Sequence, residues 1–272
     1  MRLSLSEMST PDATFAEDVA AYAAAGFDAI GIWEFKLPDD DEANIALLQS
    51  AGLAVSNCVP KIPSILPIDM PDLGAESDPS ERIAAMCASV RRFAAYSPDC
   101  VICLTGPRGD RSPVDAQSIV ADGLQQVAAT ARGAGVRIGL EPIHRSQRDT
   151  VSYVNTVAEA AAMLDGAGLP DVGLMLDSFN LWDDDGAVDW LRANGDRVAG
   201  FHVADMPGGG RTDRLLPGEV GSRTRDLVAA ARAGGWSGSL DVEIFSTPAG
   251  FWGLPLAEAT RRAHAAAASL LV

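Results

Sequence analysis

The chain is poor in lysine. Lys36 and Lys61 are the only two, and the other basic residues are arginines. With 21 basic against 37 acidic side chains, the formal charge is −16. Such a surface repels polyanions, so nucleic acid is not an expected partner. Histidine is nearly as scarce, with three residues, one of them His264 in the last helical stretch. No apolar run reaches the length of a bilayer span, and no basic segment followed by an apolar one opens the chain. The reading is a soluble, cytoplasmic protein with no membrane partner.

Cysteine is also sparse: Cys58, Cys87, Cys100 and Cys103. Cys100 and Cys103 have a C-x-x-C spacing, but within "CVICLTGP", which reads as a strand. Side chains three apart on a strand face opposite sides, so buried reduced thiols are expected, not a metal or redox pair. The acidic runs at Asp39–Glu42 and Asp183–Asp185 lack the spaced ligands and glycine of a calcium loop. They are expected to solvate the surface and to complement helix N-termini.

What the chain does have is alternation. Eight β-rich runs ("RLSLSEMS", "FDAIGIWEF", "LAVSNCVP", "CVICLTGP", "VRIGLEPIH", "VGLMLDSFN", "VAGFHVADM", "SLDVEIFS") are each followed by a helix-like stretch. Examples are 14–25, 80–96, 114–132, 156–164, 223–232 and 256–271, with shorter ones at 40–49 and 188–192. Strands alternating with helices imply a parallel sheet. Eight units in 272 residues imply one α/β domain over residues 1–272, a closed (β/α)8 TIM barrel. Helix-to-strand links are short and carry glycine ("AAGF", "RGAGV"), whereas Pro60–Pro79 and Asp205–Gly221 are long strand-to-helix links. Long loops of that kind gather on one barrel face, where such folds build their sites.

The last four strands share one phase. In "VRIGLE", Val136, Ile138 and Leu140 face outward, and Gly139 and Glu141 inward. Gly139 is expected to leave room at the barrel centre. In "VGLMLD" the inward set is Gly173, Met175 and Asp177; in "VAGFHV" it is Gly200 and His202, with Ala199 outward; in "SLDVEI" it is Asp241 and Glu243. Glu141, Asp177, His202 and Glu243 therefore converge on one barrel mouth. Three carboxylates without a counter-charge would be strongly disfavoured, and one divalent cation resolves this. Three oxygen ligands and an imidazole suit Mn²⁺, Mg²⁺ or Co²⁺ best, with Zn²⁺ or Fe²⁺ also admitted.

"GLEPIH…VGLMLDSFN…GFHVADMP…DRLLPGEVG…LDVEIFS" resembles the xylose-isomerase-like TIM barrels, the sugar phosphate isomerase/epimerase family. The resemblance implies that Glu141, Asp177, His202 and Glu243 bind one metal, with Glu141 and Glu243 as acid/base groups on opposite faces of the substrate. It implies that Arg214, in "DRLLPGE", contacts substrate. Many members carry histidine where this chain has Asn180. Asn180 can hydrogen-bond a hydroxyl but cannot carry a proton in catalysis. The multi-zinc endonucleases of this barrel need further histidine ligands that a chain with three histidines does not supply.

The expected chemistry is metal-assisted proton transfer beside the carbonyl of a small sugar or polyol, through an enediolate, giving epimerisation or isomerisation. A dehydratase using the same site, and a non-catalytic carbohydrate-binding relative, are the alternatives. His144 and Arg214 would hold substrate oxygens, with a loop contact and a surface ion pair as their plainer readings. Gly208–Gly210 with Arg211 reads as a flexible loop more than a phosphate cradle. Phe251 and Trp252 would either cap the site or form an interface, and the oligomeric state stays open.

Overall fold

The alternation of apolar runs and helix-period stretches is realised eight times. The computed structural model describes residues 1–68, 78–208 and 213–272. Its strands are β1 Arg2–Ser6, β2 Ala29–Trp33, β3 Ala54–Val59, β4 Cys100–Cys103, β5 Ile138–Leu140, β6 Gly173–Asp177, β7 Val198–Val203 and β8 Ser239–Val242. Its helices are α1 Phe15–Ala25, α2 Asp41–Ala51, α3 Pro79–Phe93, α4 Pro113–Ala134, α5 Val157–Gly166, α6 Ala187–Asn194, α7 Arg223–Ala233 and α8 Leu256–Ser269. Every strand pairs parallel with the next, and β1 pairs with β8, so the sheet closes into a barrel. Closure leaves no edge strand exposed. Among the described residues no helix is long and apolar enough to cross a membrane.

The helix starts are written locally. Thr14 accepts from Glu17 N–H while Glu17 accepts from Thr14 N–H, a reciprocal cap on α1. Asp40, within the first acidic run, caps α2. Pro79 and Pro113 sit in the first turns of α3 and α4, behind Asp78 and Ser112 as caps.

Strand side chains divide between two apolar bodies. Leu5, Ile32, Leu140, Leu176, Phe201 and Val242 point out and join the main core under the helices. Cys100, Ile102, Met175 and Ala199 fill the barrel interior with Trp33, Val59, Leu104 and Ile143. Cys100 is thus inside and Cys103 in the outer core, on opposite faces as the strand phase requires, and all four cysteines are buried and unbridged.

Two interior expectations need correction. Gly139 does not leave open room: a Cβ there would lie 3.0 Å from the Met175 Cβ, and one at Gly200 would lie 2.5 Å from the Met175 sulfur. The two glycines make space that Met175 fills. Ala199, expected to face outward, belongs to the inner cluster. The β6–β7 register shifts between Leu174 and Met175, pairing Leu174 with Val198 and Met175 with Gly200. Ala199 is the extra residue of that bulge, so the simple alternation fails there.

At the C-terminal ends of β1 and β2 a buried polar network ties two loops together. Lys36 Nζ donates to the Glu7 and Thr10 carbonyls and to Asp18 Oδ2 at 3.2, 2.8 and 2.6 Å. Glu7 Oε2 accepts from Trp33 N–H at 2.8 Å, and Glu7 Oε1 is buried without a hydrogen bond. Burial pushes the Glu7 carboxyl up to about 8, with Lys36 opposing in part. A carboxyl raised on folding binds more protons in the native than in the unfolded state between its ordinary 4.5 and about 8. Stability from this group is therefore greatest at low pH and is lost as pH rises through that window. Glu7→Gln is expected to remove that loss and to melt higher than the parent at pH 8, by a margin that shrinks towards pH 5. Melting curves of the two proteins across this range check it, and parallel pH profiles would contradict it.

Candidate metal centre and active site

Glu141 directly follows β5, Asp177 closes β6, His202 is the penultimate residue of β7, and Glu243 directly follows β8. The strands place them at one mouth of the barrel, and all four are buried. One ligand atom from each of Glu141, Asp177 and His202 lies within 4.8 Å of the others. Glu243 Oε2 stands 3.2 Å from His202 Nδ1.

Arg214 links the set. Its guanidinium lies 2.9 Å from Asp177 Oδ2 and 2.8 Å from Glu243 Oε2. It is sandwiched between the rings of Phe179 and Phe245, 4.7 and 4.6 Å from their centroids. This is a buried bridge, not a surface ion pair. Its loop is anchored by Asp205, whose Oδ2 accepts from Gly218 and Val220 N–H and whose Oδ1 accepts from Thr224. Gly209, Gly210 and Arg211, the remainder of the glycine run, lie outside the described residues.

Asn180 Nδ2 donates to Glu141 Oε1 at 3.1 Å and to Asp177 Oδ2 at 3.2 Å, while its Oδ1 accepts from His144 N–H. A substrate hydroxyl reaching Asn180 competes with those carboxylates for the same amide. The His144 ring meets Ser146 Oγ at 2.8 Å through Nδ1 and lies 3.2 Å from Asp183 Oδ2 through Nε2. The geometry thus pairs His144 with Ser146 of its own loop and with Asp183 of the loop after β6. On the far side, Ser6 donates to Glu243 Oε1 at 3.4 Å and accepts from Trp33 Nε1 at 3.0 Å.

Electrostatics set the two glutamates apart. Burial pushes Glu141 up to about 8; positive His202 offsets part of this, and Asp177 and Glu243 add to it. Glu243 is equally buried, but His202 and Arg214 outweigh desolvation and hold it at about 2. Burial disfavours the His202 imidazolium, yet Glu243 and Asp241 raise its pKa well above the ordinary value. Asp177 is raised by burial against the pull of Arg214.

The residues fit a divalent cation. Three carboxylates and an imidazole are hard-to-borderline donors. The ligand atoms of Glu141, Asp177 and His202, within 4.8 Å of one another, are spaced close to ligands about 2.0–2.6 Å from a common ion; Glu243 is not part of that group. His202 Nδ1 is buried, faces the carboxylates and makes no hydrogen bond. The Arg214 guanidinium supplies part of the charge that such an ion would bring. Arg214→Met keeps the side chain's bulk but leaves the carboxylates without this partner. In the metal-free protein it is expected to cost about 3–5 kcal/mol. Added Mn²⁺ should narrow the gap to the parent in thermal melts; a variant as stable as the parent without metal would contradict it.

A family model described as xylose isomerase-like TIM barrel matches residues 19–270. The chain belongs to that family. The resemblance carried by "GLEPIH", "GFHVADMP" and "LDVEIFS" is thereby confirmed. A family relative, the D-psicose 3-epimerase of Agrobacterium fabrum, is 23% identical over 243 residues, covering 86% of this chain and 80% of that enzyme. The 3-dehydroshikimate dehydratase of Pseudomonas aeruginosa is 29% identical over 137 residues, 47% of this chain; the match spans only 21% of that enzyme. The solved structure of the IolI protein with a bound zinc atom superposes with a TM-score of 0.81 at 20% identity, covering 100% of this chain and 98% of that one. At that identity the likeness is one of fold.

Ser6, beside Glu243, has no counterpart among the sequence-based candidates, and neither do two polar groups packed on His202. The strand phase points Asp241 inward without giving it a role, and nothing in the sequence singles out Asn57 on β3. Both are buried against His202. Asp241 could have been read from its phase, two residues before Glu243; Asn57 carries no such signal.

Proposed function

We propose that this protein is a divalent-metal-dependent isomerase or epimerase of a sugar or sugar-like hydroxy-carbonyl compound, acting in the cytoplasm by proton transfer between two carboxylates through an enediolate. The observation that carries the reading is the pair Glu141 and Glu243. They are buried at one mouth and flank Asp177 and His202, and without an ion their proton affinities are pushed apart to about 8 and about 2. Pairs of carboxyls separated in this way divide the acid and base roles.

Glu141, Asp177, His202 and Glu243 would hold the cation, which supplies Lewis acidity to an adjacent carbonyl and hydroxyl oxygen. Glu243, kept ionised by Arg214 at 2.8 Å, takes the carbon-bound proton next to the carbonyl. Glu141 returns a proton to the opposite face of that carbon, or to the neighbouring carbon while the hydroxyl proton passes from one oxygen to the other. The first outcome is epimerisation and the second aldose–ketose isomerisation. Asn180 orients Glu141, and Ser6 orients Glu243. The rings of Phe179 and Phe245 keep water from the Arg214–Glu243 pair, which strengthens the interaction.

The overlap with an epimerase along 80% of its length supports this order of preference over a dehydratase. The experiment is incubation of Mn²⁺-repleted protein with a panel of ketoses and cyclic polyol ketones in deuterium oxide. Deuterium entering the carbon next to the carbonyl, with recovery of an epimer or isomer, is the expected result. Loss of water to an ultraviolet-absorbing enone or aromatic product would replace this reading with a lyase. Binding of a sugar with no exchange across the panel would replace it with a carbohydrate-binding relative.

A further inference from the structure

Beneath His202 lies a second buried polar layer to which the reaction above gives no role. Strand register sets His202 beside Asp241, Asp241 beside Ser4, and Gly31 beside Asn57. His202 Nε2 is 3.3 Å from Asp241 Oδ2 and 3.4 Å from Asn57 Oδ1. Asn57 Nδ2 donates to that same Asp241 oxygen at 2.7 Å and to Ser56 Oγ at 3.2 Å. These bonds fix the amide: its NH₂ faces the carboxylate and serine, and its carbonyl oxygen faces the imidazole. His202 Nε2 therefore meets two acceptors and no donor, which places a proton on Nε2. The other ring nitrogen, Nδ1, points towards Glu243 Oε2 at 3.2 Å and makes no hydrogen bond.

The surrounding backbone is cut to fit this arrangement. A Cβ on Gly31 would lie 2.2 Å from Asp241 Oδ2 and 3.2 Å from Asn57 Nδ2. Any side chain at Gly31 would displace the carboxylate, and glycine inside a strand otherwise weakens it. Asp241 is fully buried and its Oδ1 has no hydrogen bond. A carboxylate in that condition costs stability, so packing alone does not account for it.

We propose that Asp241 is a positioning residue: through Oδ2, and through the Asn57 amide it orients, it fixes the Nε2–H form and the ring angle of His202 so that Nδ1 is presented to a divalent cation. This rests on the metal-centre reading above. Partners of this kind on the outer nitrogen of a ligating histidine typically strengthen metal affinity about 10- to 100-fold.

The test uses the full chain, stripped with EDTA, as parent, Asp241→Asn and Gly31→Ala. Zn²⁺ and Mn²⁺ are titrated calorimetrically, and nitrogen-15 spectra of histidine-labelled, Zn²⁺-loaded protein identify the protonated ring nitrogen. With three histidines the spectrum is simple to assign. The expected result is Nε2–H on His202 in the parent and affinity lowered about 10- to 100-fold in both variants. Gly31→Ala alters no ionisable group and no ligand, so it carries the test if Asp241→Asn does not fold. Unchanged affinity in the variants, or Nδ1–H in the parent, overturns the role of Asp241 and leaves the metal centre standing. A parent that binds neither ion overturns both.

Discussion

Glutamine in place of Glu243 is expected to lower turnover of a competent substrate about 10²- to 10⁴-fold, the usual contribution of a positioned acid/base group. The substitution preserves volume, and the amide oxygen can still accept from Arg214, which now meets Glu243 Oε2 at 2.8 Å. What the amide cannot do is take a proton. The barrel should therefore fold normally while the proton-transfer step fails. Solvent deuterium incorporation reads that step directly. Full retained exchange in Glu243→Gln would remove the two-carboxylate mechanism, whatever happened to net turnover.

The second large effect follows from Asp177. It is fully buried, its Oδ2 faces Arg214 at 2.9 Å, and its Oδ1 accepts from Phe179 N–H at 2.9 Å. Asparagine offers one acceptor oxygen where Asp177 offers two, so it keeps either the Phe179 N–H bond or the Arg214 contact and loses the other. Asp177→Asn is expected to lose stability, and circular dichroism of the variant establishes that it is folded before its metal affinity is read. A direct ligand should matter more than a supporting partner. Divalent-ion affinity is thus expected to fall by at least about 100-fold. Activity removed from the parent by EDTA should return with Mn²⁺, Mg²⁺, Co²⁺ or Zn²⁺, and the variant should not respond at the same concentration. Calorimetric titration and repletion assays measure both. A stripped parent that kept full activity would exclude a metal from the reaction.

The fold was legible because period and phase are local properties. Alternating side chains in "RIGLE", "GLMLD" and "LDVE" point the right way without knowledge of any neighbour. The opposite facing of Cys100 and Cys103 follows from the same rule. Where neighbours decide, that reading stops. Ala199 turns inward because β7 takes one extra residue against β6, a feature of the pairing and not of either strand. The room beside Gly139 belongs to Met175, which arrives from β6. Arg214 could be placed in a loop, but its sandwich between Phe179 and Phe245 is built by segments from two other strand ends. Asp241 could be pointed inward from its phase, yet its meaning depends on Asn57 and on the absence of a side chain at Gly31.

The central claim is that Glu141, Asp177, His202 and Glu243 hold one divalent ion between two proton-transferring glutamates. Anomalous diffraction at the manganese edge, from crystals of EDTA-stripped and Mn²⁺-repleted protein, tests it most directly. The account predicts a single peak per chain bounded by those four side chains, with His202 contributing Nδ1. No peak there, or a peak confined to the acidic surface at Asp39–Glu42 or Asp183–Asp185, would contradict it.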